Sequence, residues 1–336
     1  MRLTRRKFLT VSGLGVLAGL KSLTTGCDFG RMFAVPPRET VYFTPNDKFY
    51  VVNYMDSPYT LTRDLDQEQW RLVVKGEVAR PLTLGWRDIL NRESFDQIST
   101  LMCIDTLPGG TSLGNAIWRG ISLKALLQDA GVDEANARDV IFRGADGYDD
   151  SIPFSRAMQD NVMLAYLMNG EKLPKAHGFP LRLVVPGLYG IKNVKWLVEI
   201  EVYNGDYKGY WQRKGWTDDG TIHIFSRIDS PGHYQTVTGP SVHFRGIAFG
   251  GPHSIRQVQL TFDQGRTWQE AEIEPPPSPY SWVIWNYHWK PSKPGKVMVA
   301  VRAIDVTGTV QTSEITRPQP SGATGLHTIV IEVREA

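Results

Sequence analysis

His177-Gly178-Phe179-Pro180-Leu181-Arg182-Leu183-Val184-Val185-Pro186-Gly187-Leu188-Tyr189-Gly190-Ile191-Lys192-Asn193-Val194-Lys195-Trp196 is the stretch on which the reading of this chain turns. It sets a histidine, an arginine and two lysines around glycine-bearing turns, with one short apolar strand between them. Basic groups beside turns with free backbone amides suit a phosphate. Their interleaving with Phe179, Leu181 and Val184 points some of the charges into a shared cleft rather than into solvent.

Working outward, Leu72 and Val74 alternate before a bend at Gly76, Leu84 to Leu90 reads as a short helix, and Thr100 to Ile104 reads as a short apolar strand carrying Cys103. Leu123 to Ala130 has helical spacing with Gly131 as its stop, and Val140 to Phe142, Leu181 to Val185 and Trp196 to Val202 read as buried strands. This alternation from about 60 to 205 predicts a mixed α/β unit with functional residues in its loops. After about residue 225, Gln257–Phe262, Ser281–Trp289, Val297–Ala303 and His327–Val333 alternate apolar with polar between Gly, Pro and Asp turns, the pattern of a β-sandwich. Asp263-Gln264-Gly265-Arg266-Thr267-Trp268 reads as a hairpin turn anchored by its tryptophan, and the aromatic run Tyr280 to Trp289 reads as sheet core plus an oligomer surface. The expectation is an α+β chain: an export segment at 1–27, a tether at 28–45 with Pro36, Pro37 and Pro45 and no core, a site-bearing domain at 46–222 and a sandwich at 223–336.

The balance of 37 basic against 35 acidic residues, net +2, makes no field for a polyanion, so nucleic acid is not an expected partner. Thr4-Arg5-Arg6-Lys7-Phe8-Leu9 has the paired arginines of a twin-arginine export signal, a route for proteins already folded around a cofactor. The apolar run Phe8 to Leu20 falls short of the about 20 residues that a crossing helix needs. Leu23-Thr24-Thr25-Gly26-Cys27 approximates a lipobox, with Thr24 where leucine is usual, so the expectation is a periplasmic or extracytoplasmic protein, either lipid-anchored at Cys27 or released by signal cleavage. Gly13-Leu14-Gly15-Val16-Leu17-Ala18 mimics a dinucleotide loop, but no strand precedes it.

Cys27 and Cys103 are the only cysteines, and the sequence holds no zinc cage, Walker loop or Gly-x-Ser-x-Gly elbow. Cys103 ends an apolar strand and precedes the loop Leu107-Pro108-Gly109-Gly110-Thr111-Ser112-Leu113-Gly114-Asn115. A soft thiolate beside open backbone can ligate a soft metal and leave room for a bulky cofactor. With one protein ligand the cofactor must supply the others, as a pterin dithiolene does. The histidines at 223, 233, 243 and 253 recur every ten residues, but strand-and-turn segments do not converge at that spacing, so no metal site is read there.

Val162 through Trp196, with Leu164-Ala165-Tyr166-Leu167-Met168-Asn169-Gly170-Glu171, His177-Gly178-Phe179-Pro180 and Asn193-Val194-Lys195-Trp196, resembles the molybdopterin-binding domain of the sulfite oxidase family. Ile117-Trp118-Arg119-Gly120-Ile121-Ser122-Leu123 is similar to a following segment of that domain. Asp263 to Trp268 and Arg302-Ala303-Ile304-Asp305 with Gly308 and Gln311 resemble the family's immunoglobulin-like dimerisation domain. The resemblance implies a molybdenum–molybdopterin cofactor, one pterin per metal, with Cys103 as the metal thiolate. It implies that Asn53, His177, Arg182, Asn193 and Lys195 hold the pterin and its phosphate, and that Tyr148 is the tyrosine beside the metal. The reaction implied is oxygen-atom transfer to or from a small substrate. With no Cys-x-x-Cys-His haem attachment, electrons pass to a separate cytochrome or haem-containing partner. The C-terminal resemblance implies a homodimer.

Departures bear on substrate. Val52, Pro108 and His253 fall at or near places where the family carries arginines for an anion, and Asp105 adds negative charge beside Cys103. Each charge-assisted partner lost costs on the order of 1.5–3 kcal/mol, which makes sulfite a doubtful substrate. A sulfoxide or methionine-sulfoxide reductase is the nearest alternative, although such reductases usually lack the sandwich. A cofactor-free binding module is the other, and the retention of Cys103, His177, Arg182 and Lys195 argues against it.

Overall fold

The computed structural model describes residues 35–53 and 65–335. The readings made on the twin-arginine segment, on Cys27 and on the start of the tether lie outside those residues.

Two sheets build the first half of the described chain. One is five-stranded, in the order Leu82–Gly85, Arg71–Gly76, Leu197–Tyr203, Asp139–Gly144, Asp149–Pro153. Its central pair, Arg71–Gly76 with Leu197–Tyr203, is parallel and ties together distant parts of the sequence. The other sheet runs Ser94–Met102, Leu113–Ser122, Met163–Met168, Glu171–Lys172, with Arg182–Val184 also paired to Met163–Met168. Alternation places Leu72 and Val74 inward on one sheet, and Leu164 and Leu183 meet them from the other. The helix Leu123–Asp129 inserts Leu123, Leu126 and Leu127 between the sheets; Ser122 Oγ caps it by accepting from Ala125 N–H at 3.2 Å.

The strand expected at Thr100–Ile104 is longer and ends earlier, at Ser94–Met102. Polar residues such as Asp96 and Gln97 still pair across to Arg119 and Trp118, and apolar runs do not reveal that. Cys103 is thus the first residue out of the sheet. Its N–H bonds Ser112 O at 2.8 Å, and its carbonyl accepts from Thr106 N–H at 3.1 Å. These two bonds close the loop at its base.

Phe225–Ser230 to His327–Arg334 form the sandwich, eight strands in one hydrogen-bonded order. Gln269–Glu274 pairs with Ile255–Thr261 on one side and Val283–Trp289 on the other, carrying the order from one layer to the next. Phe244 and Trp285 from one layer pack on Leu260, Val301 and Ile331 from the other. In the aromatic run Trp282 and Trp285 are buried, whereas Trp289 stacks on Phe262 at 4.6 Å. The architecture is therefore α+β, a two-sheet unit with short helices followed by a β-sandwich, as the sequence led one to expect.

Residues 35–45 have no regular structure, yet they are docked rather than loose. Arg38 N–H bonds Asp229 O at 2.8 Å, Thr44 N–H bonds Asn115 O at 2.8 Å, and Trp282 Nε1 donates to Val41 O at 3.1 Å. Arg38 also reaches Gly109 O, and Arg227 of the sandwich reaches Gly110 O, both at 2.8 Å. These bonds fix the tip of the loop that follows Cys103.

Candidate functional site

Cys103, at the strand end, opens onto a cavity that Asn53, Tyr148, His177, Arg182, Asn193 and Lys195 also line. The thiol is nearly buried, at 7 % exposure, but it is not sealed in hydrocarbon. Burial, reinforced by Asp105, pushes it up to about 12. It therefore stays protonated and a poor nucleophile until a metal displaces the proton.

The opposite wall is basic. The short 3₁₀ turn Lys175–His177 ends on Gly178 at φ +110, a conformation glycine adopts without strain, and a Cβ there would crowd both Arg182 and Lys195. His177 Nε2 lies 3.1 Å from Asn46 O, and because a carbonyl only accepts, this nitrogen carries the proton. Burial holds the imidazole down to about 4, with Arg182 and Lys195 adding to the effect, so the ring is neutral with Nδ1 as an acceptor.

Arg182 begins its strand deep in the wall. Its donors reach His177 O at 3.0 Å and Asn193 O at 3.4 Å, and its guanidinium lies over the Trp118 ring at 5.0 Å. Burial lowers it to about 10. Lys195 Nζ donates to Ala176 O at 3.1 Å and to Asn53 Oδ1, and burial followed by Arg182 lowers it to about 7. Asp146, on the same cavity, opposes the lowering of Lys195. Two buried cations beside one such carboxylate leave this wall with a positive balance that a bound anion would offset.

Two of the expected residues reach the cavity with their polar groups already committed. Asn193 Oδ1 accepts from Val185 N–H at 2.7 Å, and its Nδ2 donates to Leu188 O and Tyr189 O at 3.2 and 2.9 Å, so the side chain braces its own turn. The Tyr148 hydroxyl lies 2.6 Å from Ile191 O and 3.0 Å from Asp150 Oδ2. Tyr50 was not anticipated. A Cβ on Gly190 would sit 2.9 Å from the Tyr50 hydroxyl and 4.0 Å from Cys103 Cα, so this bare glycine lets a phenol approach the sulfur. Burial and the neighbouring Cys103 both raise the Tyr50 hydroxyl.

Val52, Asp105, Asp146, Ile191, Trp211 and Trp216 are also in the lining. Asp105 sits on the turn that Cys103 O and Thr106 N–H close. Of the positions read as replaced arginines, only Val52 is on the cavity. Pro108 is in the loop tip held by Arg38 and Arg227, and packs beside Gly325; His253 closes a turn through Gly250 O at 3.3 Å. The charge of those two positions therefore does not bear on an anion in this cavity. Trp211 and Trp216 were missed because they lie in an irregular segment after the last strand, where no periodicity marks a face. The clustering of Tyr210, Trp211 and Trp216 was the available signal.

Comparison with known proteins agrees with this geometry. The oxidoreductase molybdopterin binding domain family matches residues 59–211, and the Mo-co oxidoreductase dimerisation domain family matches residues 220–321. The chain is 32% identical over 322 residues to the mitochondrial sulfite oxidase of Drosophila melanogaster, covering 80% of this chain and 55% of that protein. Against the mitochondrial sulfite oxidase of Rattus norvegicus the identity is 32% over 329 residues, covering 83% and 59%. The crystal structure of the sulfane dehydrogenase SoxCD from Paracoccus pantotrophus matches with TM-score 0.70 at 25% identity, over 82% of this chain and 80% of that one. The chain belongs to the sulfite oxidase family of molybdopterin oxidoreductases. It spans between half and two thirds of the length of these two sulfite oxidases, at 55% and 59%.

The residues present fit the family's molybdenum–molybdopterin cofactor. Among the described residues no group of three or more His, Cys, Asp and Glu side chains could hold a metal, so a metal on Cys103 must take its other ligands from a cofactor. Arg182 and Lys195 supply the positive charge that a pterin phosphate would neutralise.

Proposed function

We propose that this chain is a mononuclear molybdenum oxidoreductase that moves an oxygen atom to or from a small substrate and exchanges electrons with a separate haem-containing partner. The observation that carries the reading is the Cys103 thiol facing a cavity whose far wall holds two buried cations, Arg182 and Lys195, with Asp146 as the carboxylate that acts on Lys195. When bound, the cofactor supplies the two-electron oxygen-atom exchange, and the protein supplies position and electrostatics. Cys103 holds the metal. Arg182 and Lys195 bind the phosphate, His177 offers Nδ1 to the pterin, Asn53 orients Lys195, and Asn193 keeps the turn in place. Tyr148 handles a proton at the cavity wall. Twin-arginine export, a periplasmic location, lipid attachment at Cys27 and dimerisation through the sandwich belong to the same proposal. The test is a metal and pterin assay joined to a panel running sulfite oxidation beside sulfoxide reduction. Stoichiometric molybdenum and pterin with turnover of either class supports the reading, and protein lacking both from a molybdenum-replete host defeats it.

The wall beside Cys103 favours a substrate without a double negative charge. Val52, Ile191, Trp211 and Trp216 offer no donor fork for an oxyanion, and Asp105 repels one. A sulfoxide or thioether suits it better than sulfite. Val52→Arg is expected to raise kcat/KM for sulfite by on the order of ten- to a hundred-fold, since a charge-assisted hydrogen bond is worth about 1.5–3 kcal/mol. Steady-state kinetics checks this, and an unchanged ratio of sulfite to sulfoxide turnover refutes it.

Lys195 makes the phosphate wall pH-sensitive. Its folded value of about 7 lies below the ordinary lysine range. Burying its charge therefore costs stability below pH 7, and the cost is relieved as pH rises from there toward the unfolded value. A bound anion removes the same cost by pairing with the ammonium. Pyrophosphate should thus raise the Tm of cofactor-free protein more at about pH 6 than at about pH 8.5, and Lys195→Met should lose most of that difference. Thermal shift assays measure it; equal shifts at both pH values exclude Lys195 from the anion site.

A further inference from the structure

Behind the cavity wall, Tyr148 adjoins a row of ionisable groups that runs to solvent. Its hydroxyl has one proton and two oxygens in range, Ile191 O at 2.6 Å and Asp150 Oδ2 at 3.0 Å. A carbonyl only accepts, so both contacts are hydrogen bonds at once only when Asp150 brings a second proton. Asp150 Oδ1 accepts from Lys192 Nζ at 2.9 Å, and each of these side chains is 1 % exposed. Lys192 Nζ also donates to Ser151 O and to Asp218 Oδ1, both at 2.9 Å. Asp218 is 38 % exposed, and its other oxygen takes Lys208 Nζ at 2.7 Å. No link from the cavity wall to the surface is longer than 3.0 Å.

A buried ion pair that merely pins the turn Gly190–Lys192 needs Asp150 and Lys192 only. It accounts neither for the doubly contacted phenol nor for the continuation to a half-exposed carboxylate. Asp150 is also contacted by Ser151 N–H, which donates to Oδ1 at 2.8 Å, and by Gln212, whose Nε2 is 3.4 Å from Oδ2, while Asp149 and Asp146 act on the Tyr148 hydroxyl and Asp139 acts on its neighbour Lys192. Burial raises the Asp150 carboxyl above the usual range, and Lys192 opposes that rise.

We propose that Asp150 is a proton-transfer residue, exchanging a proton with the cavity at the Tyr148 hydroxyl and with solvent through Lys192 and Asp218. The proposal rests on the oxidoreductase reading above. Insertion of a water oxygen into a substrate sends a pair of electrons to the haem-type acceptor and leaves a pair of protons to clear. The reverse reaction takes up the same protons and electrons. The row works in either direction by ordered hops: the Lys192 ammonium, which only donates, gives a proton to Asp218 and is then refilled from Asp150 for release, or gives one to Asp150 and is refilled from Asp218 for uptake.

The experiment uses purified holoprotein. Infrared difference spectra across a pH titration should show a carboxylic-acid stretch that titrates above the surface aspartates, shifts in D2O and is missing from Asp150→Asn. Stopped-flow mixing with a pH indicator should show proton release or uptake slowed about tenfold or more in Asp218→Asn, at unchanged Tm and metal content, with imidazole buffer restoring the rate. Asp150 titrating with the surface carboxylates, or Asp218→Asn exchanging protons at the wild-type rate, overturns the proposal. Protein with the Asp150 band intact and no turnover of any substrate overturns the oxidoreductase reading while upholding the proton site.

Discussion

Cys103→Ser is expected to give a folded protein that purifies with background molybdenum and no metal-linked activity. The thiol is nearly buried and makes no disulfide, so its loss costs little in packing, on the order of 1 kcal/mol. Its effect on the metal is far larger. A serine hydroxyl in the same dry position, beside Asp105, has almost no tendency to ionise, and it is a hard donor where a soft metal needs sulfur. Metal analysis alongside circular dichroism separates the two effects. A Cys103→Ser protein retaining full molybdenum and turnover removes the central bond of the proposed site.

Lys192→Met should have the largest effect on stability. It leaves Asp150, at 1 % exposure, without its cation, and breaking such a pair costs about 3–5 kcal/mol. Combining it with Asp150→Asn should recover much of that loss, because an amide does not need a buried counter-charge. Urea denaturation of both single variants and the double variant gives the coupling energy. Additive effects, with no recovery in the double variant, would mean that the pair is not coupled as the geometry implies.

The fold was legible wherever burial imposes a period. Leu72 with Val74 marked one sheet, Leu123, Leu126 and Leu127 marked the helix, and the alternations after residue 225 marked the sandwich. The first turns of Ser94–Met102 were not legible, because cross-strand partners such as Asp96 and Arg119 hold an exposed edge by an ion pair and not by burial. The basic stretch identified one wall of the site and the isolation of Cys103 identified the other. What faces what was beyond the sequence. The exclusion of Pro108 from the cavity depends on carbonyls gripped by Arg38 and Arg227, which are distant in the chain. Asp150 and Lys192 are forty-two positions apart, and neither has a local pattern that predicts an ion pair.

The hold of the sandwich on the Cys103 region makes the two halves poor interchangeable parts. Besides Arg227 on Gly110 O, Thr100 N–H bonds Tyr280 O at 2.9 Å, and Asn115 Nδ2 donates to Ser281 Oγ at 2.8 Å. These contacts bear on the sheet that ends at the thiol. A fragment cut before the sandwich, or a chimera carrying a foreign one, would have to rebuild that scaffold before the sulfur regained its aim.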